Sequence, residues 1–80
     1  MKYVYLLESI NFTTETYIGL TDDLRKRLAA HNAGQALHTK KFKPWRLVSY
    51  IAFSEEEKAV AFERYLKSSS GRTFAKKRLR

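Results

Sequence analysis

The chain reads as an α+β protein: a small three-stranded antiparallel sheet flanked by helices, in the order ββαβα with room for a last helix. Three observations carry this reading. Two runs rich in β-branched and aromatic residues, 2–7 and 16–20, are separated by a polar stretch. Apolar residues recur at helical spacing from Leu24 and again from Ala59. A third strand-like run, residues 46–53, lies between those two helical segments.

In the first run Tyr3, Val4, Tyr5, Leu6 and Leu7 all favour extended backbone. Residues 8–15 contain Asn11, Thr13 and Thr14 and read as a polar connection, so the first two strands form a hairpin with a long loop. Gly19 falls inside the second strand, where a glycine marks close approach by another group. Thr21 or Asp22 caps the first helix, and Asp22 and Asp23 suit the positive end of its dipole. Leu24 and Leu28 form its buried stripe, flanked by Arg27 and His31, while Arg25 and Lys26 turn to solvent. Asn32-Ala33-Gly34 stops the helix. Residues 35–44 are a polar, basic loop, in which His38 is solvated and Trp45 beyond it plugs the core. Ser54 with Glu57 forms a capping box for a second helix over about 55–68. Ser68-Ser69-Ser70-Gly71 breaks it, leaving 73–79 as a short helix or a loosely held tail. Eighty residues are expected to make one domain, 1–80, with one modest core.

The composition excludes several classes. No cysteine is present, so disulfides and thiolate metal sites are ruled out and a reducing cytoplasm is expected. No long apolar run suits a membrane span, and the N-terminus does not read as a secretory signal. The net charge of +8 is unevenly placed. From Arg25 to Arg46 there are seven lysines and arginines and no acid, and the stretch from Arg72 to Arg80 adds five more. Such clusters attract polyanions and release their counterions, which makes nucleic acid the leading partner. The candidate contacts are Lys26, Lys40, Lys41, Lys43, Arg46, Arg72, Lys76 and Lys77.

Glu63 falls inside or beside the apolar stripe formed by Ala59, Phe62 and Leu66. A carboxylate there needs a partner, either Lys67 one turn on, Arg27, a tyrosine hydroxyl or a divalent cation. Tyr5 and Tyr17 lie on neighbouring strands and can share a face. A free phenol titrates near about 10 and is a poor base unless a cation favours the phenolate. Arg27 can supply that charge or bind a phosphate with its planar fork. His31 can donate to a phosphate, orient a tyrosine, or cap its own helix.

Taken in order, these pieces resemble the GIY-YIG endonuclease superfamily, in particular its small stand-alone bacterial branch. They are also similar to the N-terminal nuclease domain of the excision-repair incision subunit. Tyr3-Val4-Tyr5 stands for the first motif, Tyr17-Ile18-Gly19 matches the second, and Thr21 to Asn32 resembles the helix signature with Arg27 and His31 at its functional positions. His38-Thr39 with Pro44-Trp45-Arg46-Leu47-Val48 resembles the loop and third strand, and Ala59 to Lys67 the segment carrying Glu63. Two departures stand out: Tyr3 replaces the first glycine, and no asparagine follows Asn32, although many members carry a late one.

The resemblance implies a DNA endonuclease using one Mg²⁺ or Mn²⁺, with Glu63 as its sole protein ligand. Tyr5 is then the general base for water, Tyr17 its assistant, and Arg27 with His31 the stabilisers of transition-state charge. A role in DNA repair and a homodimer or partner protein that supplies specificity belong to the same expectation. The missing asparagine favours an alternative, a nucleic-acid-binding module of the same fold with weak or no catalysis.

Overall fold

A computed structural model describes residues 1–80. Its elements are β1 (Lys2–Ser9), β2 (Thr16–Thr21), α1 (Leu24–Asn32), a 3₁₀ turn (Lys40–Phe42), β3 (Trp45–Phe53), α2 (Glu56–Leu66) and α3 (Ser69–Arg78). The α+β order and the three-stranded antiparallel sheet follow the sequence pattern. The sheet order is β2-β1-β3, so β1 is the central strand. Tyr5 faces Gly19 on β2 and Tyr50 on β3, and a register shift falls between Leu6 and Leu7.

Side chains alternate across a strand, so β1 feeds two separate cores. Tyr5 and Leu7 pack with Trp45 on one face, where Tyr17, Leu24 and Leu28 close over them. Val4 packs on the other face with Ala59, Leu66 and Ala75, joined by Ile18, Phe53, Phe62 and Leu79. Thus α1 covers the tyrosine face, while α2 and α3 cover the valine face. Each fully buried leucine or valine stabilises by about 1.5–3 kcal/mol.

Several boundaries differ from the sequence expectation. The strand β1 runs on through Glu8 and buried Ser9, because these residues still pair with Arg46 and Trp45 of β3; the Ser9 hydroxyl also donates to the Phe42 carbonyl at 2.7 Å. The cap of α1 is Asp23, whose carboxylate accepts the Lys26 N–H at 3.0 Å; Thr21 stays in β2 and its hydroxyl accepts the Asp23 N–H. The Ser54–Glu57 capping box does not form. Glu55 takes the cap position without a side-chain capping bond, and its carboxylate pairs with Lys58 instead.

The second helix ends at Leu66, earlier than expected, because Ser68 leaves the helical path and starts the next helix. Its hydroxyl accepts the Gly71 N–H at 3.2 Å, so the serine–glycine stretch opens a helix instead of leaving a loose end. Ala75 then packs into the core, and the Arg80 guanidinium ties the tail to Glu8 and to the Thr13 carbonyl.

Gly71 sits where α3 crosses the end of α2. A Cβ there would lie 1.8 Å from the Tyr65 carbonyl oxygen, which is backbone and cannot step aside. Gly71→Ala is therefore expected to cost about 1–3 kcal/mol or more through overpacking. Thermal unfolding followed by circular dichroism checks this, since each kcal/mol moves Tm by about 4–8 °C in a chain of this size.

Candidate active site

The central position of β1 puts Tyr5 under α1, with its phenol only 2 % exposed. Gly19, directly across the hairpin, makes room for it: a Cβ on residue 19 would lie 2.3 Å from the Tyr5 hydroxyl and ring. The sequence marked Gly19 as a point of close approach, and the group that approaches is the Tyr5 ring. His31, in the last turn of α1, is 1 % exposed and its Nε2 lies 2.9 Å from the Tyr5 hydroxyl. Tyr17 completes the cluster, with its ring centroid 6.3 Å from Tyr5 and 5.0 Å from His31. Of the roles open to it from the sequence, His31 does not cap its helix, because its ring is turned into the sheet and against Tyr5.

Arg27, one turn before His31, is exposed, and its Nη1 reaches the Leu20 carbonyl at 3.4 Å. Its charge is felt at both buried groups. Burial pushes the Tyr5 phenol above its ordinary value of 10; the Arg27 guanidinium opposes this, and Tyr17 and Glu63 add to it. Burial, and then the Arg27 charge, holds His31 below its ordinary value of 6.5. At neutral pH the pair is therefore an uncharged phenol against an uncharged imidazole. Arg27 alone does not create a phenolate.

Glu63 is half-buried on α2, within electrostatic reach of Tyr5, and its Oε2 pairs with Lys67 at 3.0 Å. Its partner is thus the lysine one turn on, among the options open from the sequence. The structure brings Tyr5, Tyr17 and His31 into contact, with Arg27 and Glu63 at the margins. Asn32 is committed elsewhere: its Oδ1 accepts the Trp45 N–H at 2.6 Å and its Nδ2 donates to the Trp45 carbonyl at 3.1 Å. It cannot serve in place of a late asparagine.

The basic residues fall in three places. Arg72 and Lys76 line a groove of about 500 Å³ with Lys67, Arg80 and Tyr17, so this groove opens beside the tyrosine cluster. Lys40 and Lys43 gather over Gly34 at the C-terminal end of α1, where the helix dipole favours cations. Arg46 is held by Glu8 at 2.7 Å, and Arg46 and then Arg80 keep the Glu8 carboxyl below its ordinary range. Lys26, Lys41 and Lys77 are exposed.

Sequence reasoning missed Thr39 as a member of the cluster. It is fully buried, and its Oγ1 lies 2.6 Å from His31 Nδ1. Periodicity offers no signal for it, because it sits in a loop. Only its place in the His38-Thr39 pair marked it. Trp45 is the expected core plug, and its indole N–H donates to the Thr39 carbonyl at 2.8 Å.

The site is thus a small α+β domain's sheet face on which Tyr5 and His31 are buried and Tyr17 half-buried, over a glycine cradle and beneath a short basic helix. Residues 1–78 match the model of the GIY-YIG catalytic domain, and the chain belongs to that family. UPF0213 proteins of Streptococcus pyogenes serotypes M3 and M1 are each 40% identical over 72 residues, covering 89% of this chain and 76% of theirs. The solution NMR structure of a UPF0213 protein from Bacillus halodurans aligns with a TM-score of 0.57 and 31% identity, covering 99% of this chain and 87% of that one. Membership implies nuclease chemistry on DNA, which in this family generally involves a divalent metal.

The donors present fit such a metal. No three His, Cys, Asp or Glu side chains come together, and Glu63 is a single, partly exposed carboxylate within electrostatic reach of Tyr5. One carboxylate suits a hard cation that keeps most of its water, as Mg²⁺ and Mn²⁺ do, and does not suit a cation that needs a nitrogen or sulfur shell.

The depressed His31 value has a consequence for stability. Between 6.5 and the lower folded value the unfolded chain holds more protons than the folded one, so stability falls as pH drops through that window. An NMR titration is expected to place His31 below 6.5 and to move it upward in Arg27→Gln.

Proposed function

We propose that the chain is a metal-dependent DNA endonuclease in which Tyr5 is the general base and Glu63 the metal-binding carboxylate. The observation that supports this most is the 2.9 Å contact between the Tyr5 hydroxyl and His31 Nε2, buried beneath Tyr17. A phenol whose pKa is raised cannot act as a base by losing its proton to solvent at neutral pH. It can act by passing that proton on. Water attacks the phosphorus as one of its protons moves to the Tyr5 oxygen, and the Tyr5 proton moves to His31 Nε2. The bond from phosphorus to the leaving oxygen breaks, and that oxygen takes a proton from solvent.

Tyr17 orients the water or a phosphate oxygen, and Arg27 faces the charge that builds on the phosphoryl group. A divalent cation at Glu63, when bound, supplies Lewis-acid stabilisation of that charge. Lys67 holds the carboxylate in place at the helix surface. Substrate strands are drawn in by Arg72 and Lys76 along the groove beside Tyr17, with Lys26, Lys40, Lys41, Lys43, Arg46 and Lys77 adding positive charge elsewhere on the surface. Each site cuts one strand, so severing a duplex calls for a second copy or a second encounter.

Cleavage of supercoiled plasmid and branched DNA in Mg²⁺ or Mn²⁺ tests this. Nicking is expected to disappear with EDTA and to fall by about 10³-fold or more in Glu63→Ala, with the fold and DNA binding retained. Full activity in that variant would exclude Glu63 as the metal ligand. Binding without cleavage under any metal would favour a DNA-binding module, the reading suggested by the missing late asparagine. Replacing Lys40, Lys41 and Lys43 by alanine is expected to flatten the salt dependence of binding by about one unit for each lysine that meets a phosphate.

A further inference from the structure

We infer that Thr39 is a positioning residue that holds His31 as its Nδ1–H tautomer and thereby aims the Nε2 lone pair at the Tyr5 hydroxyl. The inference deepens the nuclease reading, and its physical part stands on hydrogen-bond geometry alone.

The position of Thr39 is set from several sides. Its N–H donates to the Ala36 carbonyl at 3.2 Å, and its carbonyl accepts the Phe42 N–H at 3.2 Å and the Trp45 indole N–H at 2.8 Å. These bonds hold its side chain against His31 in a place that water does not reach, since both residues are 1 % exposed or less.

A threonine hydroxyl has one proton to give. Here the Ala36 carbonyl, 3.4 Å from Oγ1, offers it an acceptor, so Oγ1 can in turn accept from His31 Nδ1 at 2.6 Å. With hydrogen on Nδ1 every proton of the buried cluster has an acceptor, because Nε2 is then left to accept from the Tyr5 hydroxyl. A neutral imidazole with hydrogen on Nδ1 has its lone pair on Nε2, and that atom faces the Tyr5 oxygen at 2.9 Å. The direction of the chain follows: Tyr5 O–H donates to Nε2, and Nδ1–H donates to Thr39.

The opposite tautomer would reverse this. An Nε2–H would donate to the Tyr5 oxygen, and no acceptor would remain for the phenol proton. The neutral histidine side chain in water prefers the Nε2–H form, so the Nδ1–H form has to be imposed by a partner. In the proton transfer proposed above, water gives a proton to Tyr5 and Tyr5 gives its own to Nε2. His31 becomes an imidazolium, with its Nδ1–H still on Thr39. No proton leaves the buried chain during that step.

The test uses the full chain labelled with ¹⁵N and two-bond ¹H–¹⁵N correlation at neutral pH, with His38→Gln to assign the His31 signals. Wild type is expected to show the Nδ1–H pattern. Thr39→Val, which keeps the shape but lacks the hydroxyl, is expected to shift toward Nε2–H. Thr39→Ser is expected to retain the Nδ1–H form. In parallel, plasmid nicking should fall by roughly 10²-fold in Thr39→Val and recover most of that loss in Thr39→Ser.

A wild-type His31 in the Nε2–H form, or a tautomer unmoved in folded Thr39→Val, would overturn the inference. If Thr39→Val does not fold, the wild-type and Thr39→Ser spectra decide it. A chain that holds the Nδ1–H form yet cuts no DNA would count against the nuclease reading and leave the Thr39 assignment standing.

Discussion

The buried hydrogen bond between Tyr5 and His31 is the constraint around which the tyrosine face is arranged. It requires a long aromatic side chain on the central strand and a glycine opposite to admit its ring. It also requires a short helix whose last turn faces the sheet. A buried phenol or imidazole without a partner would cost about 1–3 kcal/mol, which a core this small cannot spare. Once each supplies the other's partner, the cluster becomes part of the core. Trp45 and Leu7 can then close against it.

That arrangement places polar chemistry and stability on the same side of the sheet. The valine face, built by α2 and α3, is ordinary apolar packing and carries Glu63 at its margin. The two faces meet at the edge strand β2, because Tyr17 belongs to the tyrosine cluster and also borders the groove lined by Lys67, Arg72 and Lys76. A strand on the sheet edge is where a large polyanion can approach without displacing a helix. The charges that would meet it are arranged unequally: Arg46 and Arg80 are held by Glu8, and Lys67 by Glu63, so those cations also serve the fold.

Burial acts on the two titrating groups in opposite directions and keeps both neutral. It raises the phenol and lowers the imidazole, and the Arg27 charge pulls both down. A neutral donor against a neutral acceptor can relay a proton, whereas a phenolate against an imidazolium would already have transferred it. The loop that carries Thr39 bears on this balance, because a hydrogen-bond partner on one ring nitrogen sets what the other can do.

The sequence alone determined the strands, the helices and the polyanion-seeking charge, because periodicity and composition are local properties. It also marked Tyr5, Tyr17, Arg27, His31 and Glu63, but only their order along the motif singled them out. The end of α2 and the start of α3 were misread, since three serines and a glycine look like a break until Ser68 is seen to cap the following helix. The Ser54 capping box failed for a related reason: several polar residues compete for one cap, and packing selects among them. Only the tertiary structure showed that Gly19 cradles the Tyr5 ring, that Asn32 belongs to Trp45, and that Thr39 reaches His31. Each of these joins residues distant in the chain or hidden in a loop. Such contacts exist only once the sheet has brought β1, α1 and the loop before β3 together.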